Sequence, residues 1–187
     1  MGVLGAIGVE KGAEVLQRCA YDAWKRGLPL AFIVIGYTND DDGFRELPNV
    51  RLTGPYSAGG LPALLNFHKP HLCFFPAVWP ETFSYTFSVA LQCGLFPLAF
   101  DLGAIADRIR TSGFGELLPL DLSVEPERIN ERLLACGAAL SSMAKPRVPQ
   151  VRYPDILSDY YGFASSADLR GQRRLSYGLN RPSSSQG

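Results

Sequence analysis

No uninterrupted apolar run approaches the roughly 18 residues needed to span a bilayer, and the N-terminus lacks the basic region and cleavage site of a secretory signal. Net charge is also missing. Lys+Arg and Asp+Glu each number 18, so no global field selects nucleic acid or an anionic membrane. Histidine is scarce: His68 and His71 flank Lys69-Pro70 in a turn, with no cysteine or carboxylate beside them to complete a zinc set. Cys19, Cys73, Cys93 and Cys136 form no Cys-x-x-Cys pair and lie among apolar neighbours. Buried free thiols and a reducing, cytoplasmic setting are expected. A Gly-x-Ser-x-Gly elbow and a Walker loop are both absent, which removes two common kinds of hydrolytic site.

What remains is globular. With 187 residues, 47% hydrophobic and 19% charged, the chain can bury one core of ordinary size. Met1-Gly2 leads at once into a core strand, a start that suits a fragment of a longer protein as well as a natural N-terminus.

Strands alternate with helices. Val3 to Ile7 is predicted as a short buried strand, followed by a Gly8–Gly12 loop and a helix to Lys25. Val15, Leu16, Cys19, Ala20, Ala23 and Trp24 recur there at helical spacing, and Gly27 stops it. Leu30 to Ile35 is branched and aromatic throughout, as a strand buried on both faces requires. Asn39 to Gly43 is predicted as a solvated loop; its spacing does not match an EF-hand. Further strands are expected at Val50–Thr53, Leu72–Phe75, Pro97–Phe100 and Gly115–Leu118. Helices are expected near Leu61–Phe67, Ser84–Cys93, Ala104–Arg110 and Pro126–Met143, the last with proline in its first turn.

The fold class expected is therefore α/β, a Rossmann-like parallel sheet with helices on both faces. Residues 1–145 would form this domain, 146–163 a C-terminal extension with a helix, and 164–187 a Ser-, Gly- and Arg-rich tail or linker. Ligands of such sheets bind beyond the carboxyl ends of the strands.

Phe75-Pro76-Ala77-Val78-Trp79-Pro80-Glu81-Thr82-Phe83-Ser84-Tyr85-Thr86 is the most telling stretch: a strand end, an acidic loop and a helix start. Backbone N–H groups and the positive dipole end attract phosphate there, and Thr82, Ser84 and Thr86 add hydroxyls. Glu81 would repel phosphate but can accept two hydrogen bonds from a vicinal diol; alone, it equally suits a simple helix cap. Lys11, between Gly8 and Gly12, can reach a phosphate over the same edge, where glycines let backbone approach closely. Trp79 either covers a pocket or packs its loop.

Several blocks occur in order: Gly5-Ala6-Ile7-Gly8-Val9-Glu10-Lys11-Gly12-Ala13, Val34-Ile35-Gly36-Tyr37, Val50-Arg51-Leu52-Thr53-Gly54, Pro80-Glu81-Thr82-Phe83-Ser84 and Gly94-Leu95-Phe96-Pro97. Together they resemble the C-terminal half of retaining glycosyltransferases of the GT-B fold, the group-1 or family-4 class, over about Val3 to Met143. The resemblance implies a nucleotide diphosphate sugar as substrate, no further cofactor, and an acceptor-binding N-terminal domain elsewhere in the parent protein, through which alone any peripheral membrane association would come. It places Lys11 on the donor pyrophosphate, with Gly8 beside it. Glu81 becomes the catalytic candidate, on the sugar hydroxyls or the charge developing at the anomeric carbon. Thr82 and the amides of Phe83, Ser84 and Tyr85 would receive the phosphates, and Thr53-Gly54 would lie near the base. No metal is required, because helix dipole and lysine can carry the leaving group's charge.

Two positions depart from that pattern. Val89 stands where the class usually has a second glutamate, eight residues after the first, and Ala6 where many members have an arginine. Phe96 replaces a proline and affects packing only. A second reading follows: a degenerate, non-catalytic transferase-like interaction module. Restoring glutamate at position 89 in the parent protein would distinguish decay from activity. A third, an unrelated phosphate-binding α/β protein such as a sugar-phosphate epimerase, would want a Gly-x-Gly-x-x-Gly loop, which is absent.

Overall fold

The computed structural model describes residues 1–142. The end of the predicted last helix at Met143, the extension at 146–163 and the tail at 164–187 lie outside the described residues.

Six parallel strands form one sheet: β1 (Gly2–Ile7), β2 (Phe32–Thr38), β3 (Val50–Leu52), β4 (Leu72–Phe75), β5 (Phe96–Phe100) and β6 (Glu116–Leu118), in the order β3-β2-β1-β4-β5-β6. Helices α1 (Ala13–Lys25), α2 (Asp41–Arg45), α3 (Leu61–His68), α4 (Tyr85–Gln92), α5 (Gly103–Ser112) and α6 (Pro126–Ser142) connect or follow them. This is the doubly wound order with its switch point between β1 and β4. The α/β fold expected from the sequence is the one observed.

The inner strands β1, β2, β4 and β5 are largely apolar because alternate side chains serve two cores, whereas the edge strands carry Arg51 in β3 and Glu116 in β6. Val3, Phe32, Val34, Phe74 and Phe100 face one cluster, against Leu16 and Ala20 of α1 and Ile129 and Leu133 of α6. Leu4, Ile35, Cys73, Phe75 and Ala99 face the other, closed by residues of α3, α4 and α5 that include Leu61, Phe87 and Ile109.

Two elements differ from expectation. β2 runs to Thr38 rather than stopping at Ile35, since β1 offers partners up to the Ile7–Thr38 pair. The Asp-rich loop is not merely a turn. Asp40 caps α2 by accepting from the Gly43 N–H, and Asp41 accepts from the N–H and hydroxyl of Thr38. Its carboxylates thus serve the helix start, a role the composition alone could not separate from solvation.

The cysteines are free thiols. Burial pushes Cys19 up to about 12, and burial followed by the Glu116 carboxylate does the same for Cys136. Fully buried Cys73 is also raised, and partly exposed Cys93 is raised by burial. The raised pKa values make Cys19 and Cys136 stabilise the fold below the ordinary thiol value of 9.0, and that contribution is lost as pH climbs towards 12. At pH 8, a disulfide reagent should label Cys93 quickly and the other three only at the global unfolding rate. Rapid labelling of Cys19 or Cys73 in folded protein would contradict the packing. Among the described residues, no helix is long and apolar enough to cross a membrane.

Candidate functional site

The sheet opens at its switch point. β1 pairs with β2 along its whole length, whereas its pairing with β4 is confined to Gly2 and Cys73. The two strands diverge towards their carboxyl ends and leave a crevice of about 10 Å³, lined by Ile7, Phe74, Pro76 and Thr86 and topped by Lys11 and Glu81. That is roughly room for one water, so a ligand must lie over the edge.

The loop after β4 is held from two sides. Beside α1, Gly12 has φ +78° and comes so near Pro76 that a Cβ would sit 1.9 Å from the Pro76 carbonyl oxygen. In the same region the Glu10 carbonyl accepts from the backbone N–H groups of Val78 and Trp79, at 3.1 and 3.3 Å. From the other side, Gly103 at the start of α5 also has a positive φ, and a Cβ there would lie 2.9 Å from the Glu81 carbonyl oxygen. Ala104 donates its N–H to that same oxygen at 2.9 Å. Only glycine permits both approaches. The first strand-to-helix loop and the start of α5 therefore fix where Glu81 stands.

Lys11 and Glu81 meet as a result, with Nζ and Oε1 3.8 Å apart, Lys11 about half exposed and Glu81 mostly covered. Residues 70 positions apart in the chain thus form one cation–carboxylate pair over the switch point. Gly8 lies in the same loop as Lys11, and a Cβ there would meet nothing within 4 Å, leaving space above it.

Beside the pair begins α4. Ser84 is its N-cap and is buried; its hydroxyl accepts from the Phe87 N–H at 3.4 Å and lies 3.3 Å from the Thr86 hydroxyl. The hydroxyl expected to face a ligand is therefore turned into the helix end, because capping satisfies an otherwise orphaned donor. Thr82, Phe83 and Tyr85 are exposed, and the Tyr85 and Thr86 amides stand in the first turn.

Thr53 and Gly54 follow β3, two strands away from β1. The Thr53 hydroxyl accepts from the Gly36 N–H at 3.0 Å, and Gly54 donates its N–H to the Gly36 carbonyl at 2.9 Å. These bonds tie the chain after β3 to Gly36 of β2. Trp79 is 65% exposed, so its ring packs little of its own loop. His71 is exposed and His68 stacks edge-on with Phe67. Among the described residues, no group of three His, Cys, Asp or Glu is arranged to hold a metal ion.

Sequence reasoning missed two residues. Tyr56, after β3, packs against the second cluster; burial first, then neighbouring Tyr85, pushes its phenol above the ordinary value. Arg108, on α5, reaches the first turn of α4. Nothing in the local pattern singles out either, because each meets its neighbours only across the fold.

No family model and no curated protein matches the chain. Solved structures do. HepE of Anabaena, in complex with UDP and glucose, matches with a TM-score of 0.55 at 20% identity, over 76% of this chain and 40% of that one. The fold is that of glycosyltransferases. A glycosyltransferase from Rickettsia africae matches with 0.57 at 14% identity, over 74% of this chain and 38% of its own. The pneumococcal O-GlcNAc transferase GtfA, in complex with UDP and GlcNAc, gives 0.55 at 19% identity, over 93% and 35%. The chain thus spans about two fifths or less of the length of each of these proteins, and at these identities the likeness is one of fold.

Proposed function

We propose that this chain is the donor-binding, C-terminal half of a retaining GT-B glycosyltransferase of the group-1 or family-4 class. The parent enzyme would transfer a hexose from a nucleotide diphosphate sugar to a glycan or lipid acceptor held by an N-terminal domain, in the cytoplasm. The observation that carries the reading is the Lys11–Glu81 pair over the switch point, 3.8 Å apart and next to the start of α4.

The chemistry follows from charge. As the bond from the anomeric carbon to the diphosphate oxygen breaks, negative charge grows on the leaving diphosphate and positive charge on the sugar. Lys11 and the first-turn amides of α4 answer the first; the Glu81 carboxylate answers the second or accepts from sugar hydroxyls. With no donor bound, lysine and glutamate neutralise each other. A donor separates their tasks without leaving either charge unpaired. Neither metal nor cofactor is needed in this scheme.

Calorimetry of the 187-residue chain against UDP, GDP, ADP and their sugars tests it. Weak binding to one nucleotide and no transfer are expected, since the acceptor wall belongs to the other domain. A folded sample that binds none of them sinks the proposal. Lys11→Ala should weaken the nucleoside diphosphate by about tenfold to a hundredfold, the worth of one charged hydrogen bond at roughly 1.5–3 kcal/mol. Glu81→Gln should weaken the sugar-bearing donor more than the free diphosphate, as the paired titrations would show.

Two observations favour the degenerate reading instead. Val89 is 4% exposed and belongs to the apolar cluster with Phe87 and Leu91, so no acceptor for a ribose exists at that position. Ala6 is exposed and carries no charge. A chain that folds, binds no nucleotide and is retained by its parent protein only as a surface would fit this alternative.

A further inference from the structure

We propose that Arg108 is a positioning residue of the donor site, holding the first turn of α4 in place and adding positive potential to the amides that receive the diphosphate. The inference rests on the donor-site reading above.

Arg108 reaches across from α5. Its Nη1 donates to the Ser84 carbonyl at 3.3 Å and its Nη2 to the Ser88 hydroxyl at 2.9 Å. Ser88 donates that hydroxyl to the same Ser84 carbonyl at 3.2 Å. The guanidinium carbon stands 4.6 Å from the centre of the Phe87 ring and 5.4 Å from that of Phe83. One side chain thus grips the residues on both sides of the helix start: Phe83 and Ser84 before it, Phe87 and Ser88 within it. A planar fork with fixed donors holds such a turn more rigidly than a single ammonium can.

Charge makes this more than a brace. A cation at a helix N-terminus is opposed by the macrodipole, so its placement beside the start of α4 calls for a reason beyond the two hydrogen bonds. The cation raises the potential that an incoming anion meets, because guanidinium and dipole have the same sign there. Ala6 leaves the β1 side of the site with Lys11 as its cation in the first loop. Arg108 adds positive charge from the α5 side.

The test compares wild type with Arg108→Gln and Arg108→Lys as 187-residue chains. Each is titrated with UDP, GDP and ADP and with the matching nucleosides, at two salt concentrations, and its urea midpoint is measured. Arg108→Gln should bind the preferred diphosphate about tenfold more weakly, bind the nucleoside within about twofold of wild type, and show a shallower salt dependence. Arg108→Lys should keep the salt dependence and fall between the two. Unchanged diphosphate affinity in Arg108→Gln overturns the proposal, as does an equal loss for nucleoside and diphosphate, which marks a purely structural brace. If Arg108→Gln does not fold, Ser88→Ala removes the Nη2 acceptor; about threefold weaker diphosphate binding is then expected, and no change overturns the idea. Failure of wild type to bind any nucleoside diphosphate refutes the donor-site reading itself, which separates the two failures.

Discussion

Placing glutamate at position 89 is expected to cost the fold about 4 kcal/mol at neutral pH, not to restore a ribose contact. Val89 is 4% exposed and packs within the cluster that includes Phe87, Leu91, Ile105 and Phe75. A carboxylate there either stays charged in an apolar setting or takes a proton, and a rise of about three units in its pKa corresponds to roughly 4 kcal/mol. The sign is definite. A glutamate whose folded value is raised brings no charge penalty below its ordinary value of about 4.3, and the penalty grows as pH rises towards the folded value. Urea midpoints of wild type and Val89→Glu at pH 5 and pH 8 should therefore differ more at pH 8. A substitution that leaves stability intact and tightens nucleotide binding would show that α4 can present this position to a ligand. That result would favour decay from an active ancestor over a rebuilt core.

The second large effect concerns Gly12. Gly12→Ala introduces a Cβ at 1.9 Å from the Pro76 carbonyl oxygen, at a φ of +78° that L-residues rarely adopt. The left-handed conformation alone costs about 1–2 kcal/mol. Relieving the overlap must also part the loop after β1 from the loop after β4. Stability should fall by about 4 kcal/mol, near the upper end for a single substitution. The Lys11–Glu81 pair spans those same two loops, so whatever molecules remain folded should bind nucleotide more weakly than wild type. Gly8→Ala is the control: its Cβ meets nothing within 4 Å, and thermal unfolding should shift little. Equal losses at Gly8 and Gly12 would mean that loop flexibility, not the contact with Pro76, is what the glycines provide.

These two positions mark where sequence reading works and where it stops. Gly12 stands out in the sequence as a glycine beside a lysine in a strand-to-helix loop. Its reason, a protein backbone packed against it, belongs to a residue 64 positions later. Val89 stands out only against a family pattern; that its side chain is buried depends on how α4 rolls on the sheet. Ser84 shows the same limit at closer range. Its hydroxyl, counted among the ligand-facing groups from its place in the chain, caps α4 because the helix start is its nearest unsatisfied donor.

Periodicity and composition by themselves determined the order of strands and helices and the burial of the central β2 on two faces. Local physics suffices for these, because residue spacing sets which faces are apolar and parallel connections require crossover helices. Which strands are neighbours, and which side chains meet, was decided by tertiary structure alone. The close approach of Gly12 to Pro76 and of Gly103 to Glu81 brings Lys11 to Glu81, and the packing of α5 on α4 brings Arg108 to Ser84 and Ser88. Such pairs are 20 or more residues apart, so only the minimum-energy packing of the whole sheet and its helices selects them.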